Sequence, residues 1–159
     1  MIETEVKIKL SESEFNFFNN KFAPLDFFVQ KNYCFIFESG FFRIREEKGK
    51  TLLTFKGEDF GSKLNQREEI EKQICLEYDE CISLFSGISK IQGEYVKMRA
   101  NVNFLGCVLS LDKFDSKDIF LELEGDEEKV RNCLIELGID VNRNERRSYC
   151  ELFVKNESD

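Results

Sequence analysis

Met1-Ile-Glu-Thr-Glu-Val-Lys-Ile-Lys-Leu10 opens the chain in strict alternation. Successive side chains of a strand point to opposite faces, so Ile2, Thr4, Val6, Ile8 and Leu10 share one side and Glu3, Glu5, Lys7 and Lys9 the other. The first side is a core face. The second carries two carboxylates followed by two ammonium groups. One such strand could lie at an exposed sheet edge. Recurrence of the pattern along the chain argues for something else.

Seven more strands are expected from the same period-2 signal. They are Gln30 to Phe37, Phe41 to Arg45, Thr51 to Lys56, Gln66 to Ile74, Tyr95 to Ala100, Cys107 to Lys113 and Ile119 to Glu124. Within a strand the polar face is nearly uniform in sign: Arg43 with Arg45, Glu69 with Glu71, Lys97 with Arg99, Glu122 with Glu124. Thr54 and Lys56 share a face, as do Ser110 and Asp112. Like charges two apart repel, so a merely solvated sheet would more often mix signs. The opposite faces are apolar and need cover.

Three amphipathic helices can supply that cover. Ser11 and Glu14 form a capping box before Phe15, Phe18 and Phe22, and Pro24 ends the segment. Leu76 to Ser86 carries Tyr78, Cys81, Ile82 and Phe85 on one stripe. Asp126 starts a helix with Val130, Cys133, Leu134 and Leu137 buried, and Gly138 stops it. The Arg146–Phe153 tail reads as a short helix or turn, and residues 57–64 as a polar loop.

The economical arrangement is an α+β fold: an eight-stranded antiparallel β-barrel with a charged lumen and helices packed on the outside. No linker or repeat divides residues 1–159, so a single domain is expected. The lumen would hold Lys7, Lys9, Arg43, Arg45, Lys56, Lys97 and Arg99 together with Glu3, Glu5, Glu69, Glu71, Asp112, Glu122 and Glu124. Buried charges are costly unless paired or ligated. Clustered carboxylates suit Mg2+ or Mn2+, and clustered Arg and Lys suit phosphate oxygens. A tunnel holding both suits a metal-bound polyphosphate.

Composition narrows the alternatives. The net charge of −8 opposes non-specific binding to nucleic acid or to an anionic membrane. No apolar run is long enough for a transmembrane helix, and acidic residues from position 3 do not read as a signal peptide. The six Cys lack metal-ligand spacing and sit mostly among apolar neighbours, so they read as core thiols of a reduced, cytoplasmic protein. With no His, Zn–His sites and Ser–His or Cys–His catalysis are excluded.

Glu3-x-Glu5-x-Lys7 resembles the signature of the CYTH superfamily, the triphosphate tunnel metalloenzymes. Phe42-Arg-Ile-Arg45, Leu53-Thr-Phe-Lys-Gly57, Arg67-Glu-Glu-Ile-Glu71, Val96-Lys-Met-Arg99, Leu111-Asp-Lys-Phe114 and Phe120-Leu-Glu-Leu-Glu124 follow in the family's order. Arg147-Ser-Tyr149 and the compact length look most like the class IV adenylyl cyclase branch. The resemblance implies that Glu3, Glu5, Glu122 and Glu124 ligate two Mg2+ or Mn2+ ions, with Asp112 at or near them. It implies triphosphate binding by Lys7, Lys9, Arg43, Arg45, Lys56, Lys97 and Arg99. Glu5, Lys7, Asp112 and Glu122 would carry catalysis, while Glu69, Glu71, Arg147 and Tyr149 would support the lumen or tail. The implied activity is conversion of ATP to cyclic AMP and pyrophosphate. Hydrolysis of tripolyphosphate, thiamine triphosphate or a nucleoside triphosphate is the alternative, and a non-catalytic polyphosphate-binding module is a further rival. ATP or another triphosphate is the expected partner, with a homodimer left open. One stretch departs from the family: Phe114-Asp-Ser-Lys-Asp118 stands where relatives often have a Gly-containing turn.

Overall fold

A computed structural model describes residues 1–154. Eight antiparallel strands close into a barrel: β1 (Ile2–Lys9), β2 (Phe28–Phe37), β3 (Gly40–Glu47), β4 (Lys50–Gly57), β5 (Asn65–Ile74), β6 (Ile91–Phe104), β7 (Cys107–Phe114) and β8 (Ile119–Glu124). Around the wall their order is β1-β5-β4-β3-β2-β6-β7-β8, with β8 returning to β1. Closure leaves no sheet edge, so the alternating strands acquire an inside and an outside.

The apolar outer faces are covered as the sequence requires. Helices α1 (Glu12–Lys21) and α3 (Glu127–Leu137) bury Val6, Ile8, Leu109, Leu111, Leu121 and Leu123 beneath Phe15, Phe18, Val130 and Leu134. Helix α2 (Tyr78–Phe85) sets Tyr78 and Cys81 over Phe35 and Ile44. The Ser11–Glu14 capping box is present, and Gly138 ends α3 in the left-handed region. Asp126 occupies the N-cap of α3 without a side-chain cap bond. It pairs with Lys129 instead.

Strand β6 is much longer than the apolar pattern of Tyr95 to Ala100 implies. Its flanks, Gln92-Gly-Glu94 and Asn101 to Asn103, are polar, but β2 and β7 still pair with them along the backbone. The turn before β8 places Lys117 at φ 72°, in the left-handed region where a glycine would be unstrained.

The chain beyond α3 closes one end of the barrel. Strand β5 pairs with β1 only as far as Glu5↔Asn65. Past that point the tail lies alongside β1: the Glu145 amide donates to the Lys7 carbonyl at 2.7 Å, and the Lys7 amide donates to Asn144 Oδ1 at 2.9 Å. Helix α4 (Tyr149–Phe153), capped by Ser148 and Glu151, then packs on the inward aromatics Phe41, Tyr95, Phe114 and Phe120. A disulfide joins Cys150 of α4 to Cys34 of β2. The expectation of six reduced thiols is therefore corrected for this pair. Residues 116 apart in sequence are brought within 5.9 Å by the tail's return, which Cys spacing cannot reveal. Cys75, Cys81, Cys107 and Cys133 are free thiols.

Candidate functional site: a tunnel with two charged sectors

The barrel encloses a cavity of about 190 Å3 lined by tunnel-facing side chains of β1, β3, β4, β5, β6 and β8 and by the start of α4. Charge is sorted around its circumference. Three adjacent strands, β8, β1 and β5, carry Glu122, Glu124, Glu3, Glu5, Glu69 and Glu71. Strands β3 and β6, on either side of β2, carry Arg43, Arg45, Lys97 and Arg99. Strands β4 and β7 separate these sectors on either side.

In the acidic sector, carboxylate oxygens of Glu3, Glu69 and Glu124 all lie within 4.8 Å of one another. Glu3 Oε1 accepts from Lys56 Nζ at 2.7 Å, whereas Glu3 Oε2 is buried without a partner. Desolvation by the wall, reinforced first by Glu3, pushes the Glu124 carboxyl up to about 7. An orphaned carboxylate oxygen beside two further carboxylates is a donor set for a hard divalent cation, so these residues fit such an ion. Glu5 is raised as well, mainly by burial and then by Glu122, although Lys56 and Lys7 oppose the shift.

The basic sector is unequally neutralised. Asp112, fully buried on β7, accepts from Arg99 Nε at 2.7 Å, Arg99 Nη2 at 2.6 Å, Lys97 Nζ at 3.0 Å and Tyr149 Oη at 2.6 Å. Arg99 also reaches Glu122 at 2.7 Å. Burial works against the Glu122 charge, but Arg99, Lys97, Lys7 and Lys56 together hold its carboxyl well below the usual range. Burial and the neighbouring Arg99 push Lys97 well down, although Asp112 pulls the other way. The Lys97 and Lys7 ammonium groups lie 4.2 and 4.6 Å from the Tyr149 ring centroid.

Arg43 and Arg45 are less well matched. Arg43 meets Thr54 at 3.4 Å and Glu71 at 3.8 Å, and its Nε is buried without a partner. Arg45 donates from Nε to Asn32 Oδ1 at 2.6 Å and has no carboxylate within salt-bridge reach among the described residues. Burial, then Arg43 and Arg99, lowers its guanidinium to about 10. Arg43 keeps its charge against burial through Glu71, Glu69 and Glu3, so the unmatched group is the Arg45 guanidinium, and with the unpartnered Arg43 Nε it offers donors to an anion.

The tunnel therefore collects Glu3, Glu5, Lys7, Arg43, Arg45, Lys56, Glu69, Glu71, Lys97, Arg99, Glu122, Glu124 and Tyr149. Asp112 stands behind the cavity wall, its oxygens held by cations and Tyr149. Lys9 is not in the lumen. Lys9 is the last residue of β1, still paired with Phe120 of β8, and from this end of the strand its long side chain reaches out to Asp118 at 3.0 Å and is largely exposed. The Arg147 side chain is also outside, paired with Glu145, but its carbonyl accepts from Lys7 Nζ at 3.1 Å. Arg67, Tyr95 and Phe41 line the cavity and were not anticipated. Strand parity with Glu69, Lys97 and Arg43 would have found all three.

A CYTH domain family model matches residues 1–149, and the chain belongs to that family. No curated protein matches the sequence. Among solved structures, the fold is similar to that of a conserved hypothetical protein from Pyrococcus furiosus, with 23% identity, a TM-score of 0.77, and coverage of 95% of this chain and 99% of that one. It is also similar to a "putative adenylate cyclase" from Bacillus halodurans, at 19% identity and TM-score 0.69, covering 95% of this chain and 96% of that one. A second protein so described, from Vibrio parahaemolyticus, is 17% identical with a TM-score of 0.70, covering 96% and 97% of the respective chains.

Proposed function

We propose that this chain is a divalent-metal-dependent enzyme that binds a triphosphate across the two sectors and converts ATP to cyclic AMP and pyrophosphate. The observation that carries the reading is the sorting itself: Arg45, with no carboxylate partner among the described residues, and the unpartnered Nε of Arg43 share the lumen with a carboxylate cluster that has an orphaned oxygen. A polyanion suits the first and a hard cation the second. Glu3, Glu69 and Glu124 would hold the cation, with Glu5 and Glu122 beside them. A second ion would have to draw on those two carboxylates. When bound, Mg2+ or Mn2+ would neutralise phosphate charge and make a coordinated hydroxyl more acidic.

The remaining steps belong to the chain's own side chains. Arg43 and Arg45 receive phosphate oxygens, and Arg99, pre-aligned by Asp112, offsets charge developing on the leaving pyrophosphate. Lys7, held by the Arg147 carbonyl, lies on β1 within the acidic sector, and Lys56, held by Glu3, stands on β4 between the sectors. Asp112 acts as a positioning residue. The chain has no imidazole, so proton loss from the ribose 3′-hydroxyl would rely on the acidity that a bound ion confers, with a carboxylate, lysine, tyrosine or water as acceptor. The Tyr149 tail and the two neighbours described as adenylate cyclases support the cyclase over its rival.

A triphosphatase is the second reading. It is favoured by the small cavity, which accommodates a phosphate chain without requiring a nucleoside. Product analysis with Mg2+ and with Mn2+ separates the two. ATP is expected to give cyclic AMP and pyrophosphate, and 3′-deoxy-ATP to bind without reacting. Orthophosphate from 3′-deoxy-ATP or tripolyphosphate at the ATP rate, with no cyclic product, would replace the cyclase by the triphosphatase.

A further inference from the structure

Tyr95 sits on β6, two residues before Lys97, and lines the tunnel. Its hydroxyl is buried and has no hydrogen-bond partner. The ring packs against one aromatic cluster, with centroids of Phe114, Tyr149 and Phe153 each 6.1 Å away. Arg43 and Arg45 line the same cavity.

The tunnel's other tyrosine is different. Tyr149 donates its proton to Asp112 at 2.6 Å and is not free to donate elsewhere. Tyr78, at the start of α2 and buried against the outside of the barrel, donates to Glu94 at 2.8 Å. A buried hydroxyl normally finds a partner, so the orphaned Tyr95 donor needs explaining. Its surroundings supply the reason. Four cations already crowd this sector, and Arg45 is lowered to about 10 by burial and by Arg43 and Arg99. A further ammonium or guanidinium would add repulsion. A neutral O–H adds a hydrogen bond to an anion at no such cost.

From this geometry we infer that Tyr95 is a substrate-contacting residue: its hydroxyl donates to a phosphate oxygen seated between Arg43 and Arg45. The inference rests on the triphosphate reading of the tunnel. It adds a neutral, fixed donor to a set otherwise made of charges, so part of the recognition is insensitive to salt.

Tyr95→Phe removes the donor and keeps the ring. Calorimetric titration with tripolyphosphate is expected to show about tenfold weaker binding, the loss corresponding to one hydrogen bond to a charged acceptor. The loss should persist when ionic strength is raised. The unliganded variant should melt at or above the wild-type temperature, because an unsatisfied buried hydroxyl has gone. Tyr78→Phe is the control and should leave tripolyphosphate binding unchanged. Unchanged affinity in Tyr95→Phe overturns the inference while leaving the tunnel reading intact. Weaker binding accompanied by a lower melting temperature makes Tyr95 a packing residue and also overturns it. A wild-type protein that binds no tripolyphosphate removes the tunnel reading, and this inference with it.

Discussion

The two charged sectors of the tunnel differ in how their charges are satisfied. Across β8, β1 and β5, carboxylates meet one another, leaving Glu3 Oε2 without a partner and Glu124 reluctant to ionise. Across β3, β2 and β6, Lys97 and Arg99 are tied to Asp112, Arg43 has Glu71 at 3.8 Å, and Arg45 has no carboxylate partner among the described residues. Each sector is destabilising alone, because burying like charges is costly. A metal on one side and a polyanion on the other would relieve both. The difference between them is that Asp112 makes part of the basic sector permanent, while no cation but Lys56 does so for the Glu3 cluster.

Removing divalent metal should have the largest effect. Chelation is expected to abolish turnover of ATP, read as cyclic AMP formed, and Glu3→Gln should weaken Mn2+ binding by titration calorimetry. Full activity in chelator would eliminate the acidic sector as a metal site.

Asp112→Asn tests the permanent part of the basic sector. It leaves Lys97 and Arg99 buried with one counter-charge fewer, and breaking such a pair costs about 3–5 kcal/mol. Urea denaturation should register that loss. A variant as stable as the wild type would mean that the Asp112 contacts are dispensable.

The disulfide fastens α4 to β2 in the basic sector. A cross-link closing a long loop is worth roughly 2–4 kcal/mol. Cys34→Ser with Cys150→Ser should therefore lower the melting temperature under non-reducing conditions. In reductant the wild type should fall to the level of the double variant. Equal melting temperatures with and without reductant would show that the bond contributes nothing.

Arg45→Ala tests the unmatched cation. Losing a charge-assisted contact of about 1.5–3 kcal/mol should weaken tripolyphosphate binding by roughly tenfold to a hundredfold. Because Arg45 has no carboxylate partner among the described residues, the variant should fold at least as stably as wild type. A loss of stability without a loss of affinity would reverse the assignment of this sector.

The smallest effect lies outside the tunnel and calibrates the others. Arg143 pairs with Glu14 at 2.7 Å, and hydrogen bonds to Arg143 and to the Ser11 amide hold the Glu14 carboxyl down at about 2. A depressed carboxylate stabilises the fold above its unfolded value, near 4.5, and the contribution disappears as pH falls toward 2. For a partly exposed pair this amounts to roughly 0.5 kcal/mol. Arg143→Ala should lower stability slightly at pH 7 and not at all at pH 2. An equal deficit at both values would show that Arg143 acts through packing.

The barrel, its sidedness and most of the tunnel lining were legible in the sequence, because strand alternation is a local rule. Glu3, Glu5, Arg43, Arg45, Lys97, Arg99, Glu122 and Glu124 each sit two residues from a like charge, and closure needs no more than their shared parity. The same rule placed Lys9 inside, where it is not, because parity does not report that a long side chain at the end of a strand can reach past the rim to Asp118. What parity could not fix is which strand faces which. Pairing of β5 with β1 and of β1 with β8 puts Glu69 beside Glu3 and Glu124, and pairing of β6 with β7 gives Arg99 to Asp112. The tail's return against β1, the seating of Tyr149 beneath two lysines and the Cys34–Cys150 bond likewise join residues far apart in the chain. Sequence determined which residues are charged and which way each strand presents them. Tertiary structure alone decided which charges neutralise one another and which are left for a ligand, because that depends on distances between strands that no local pattern encodes.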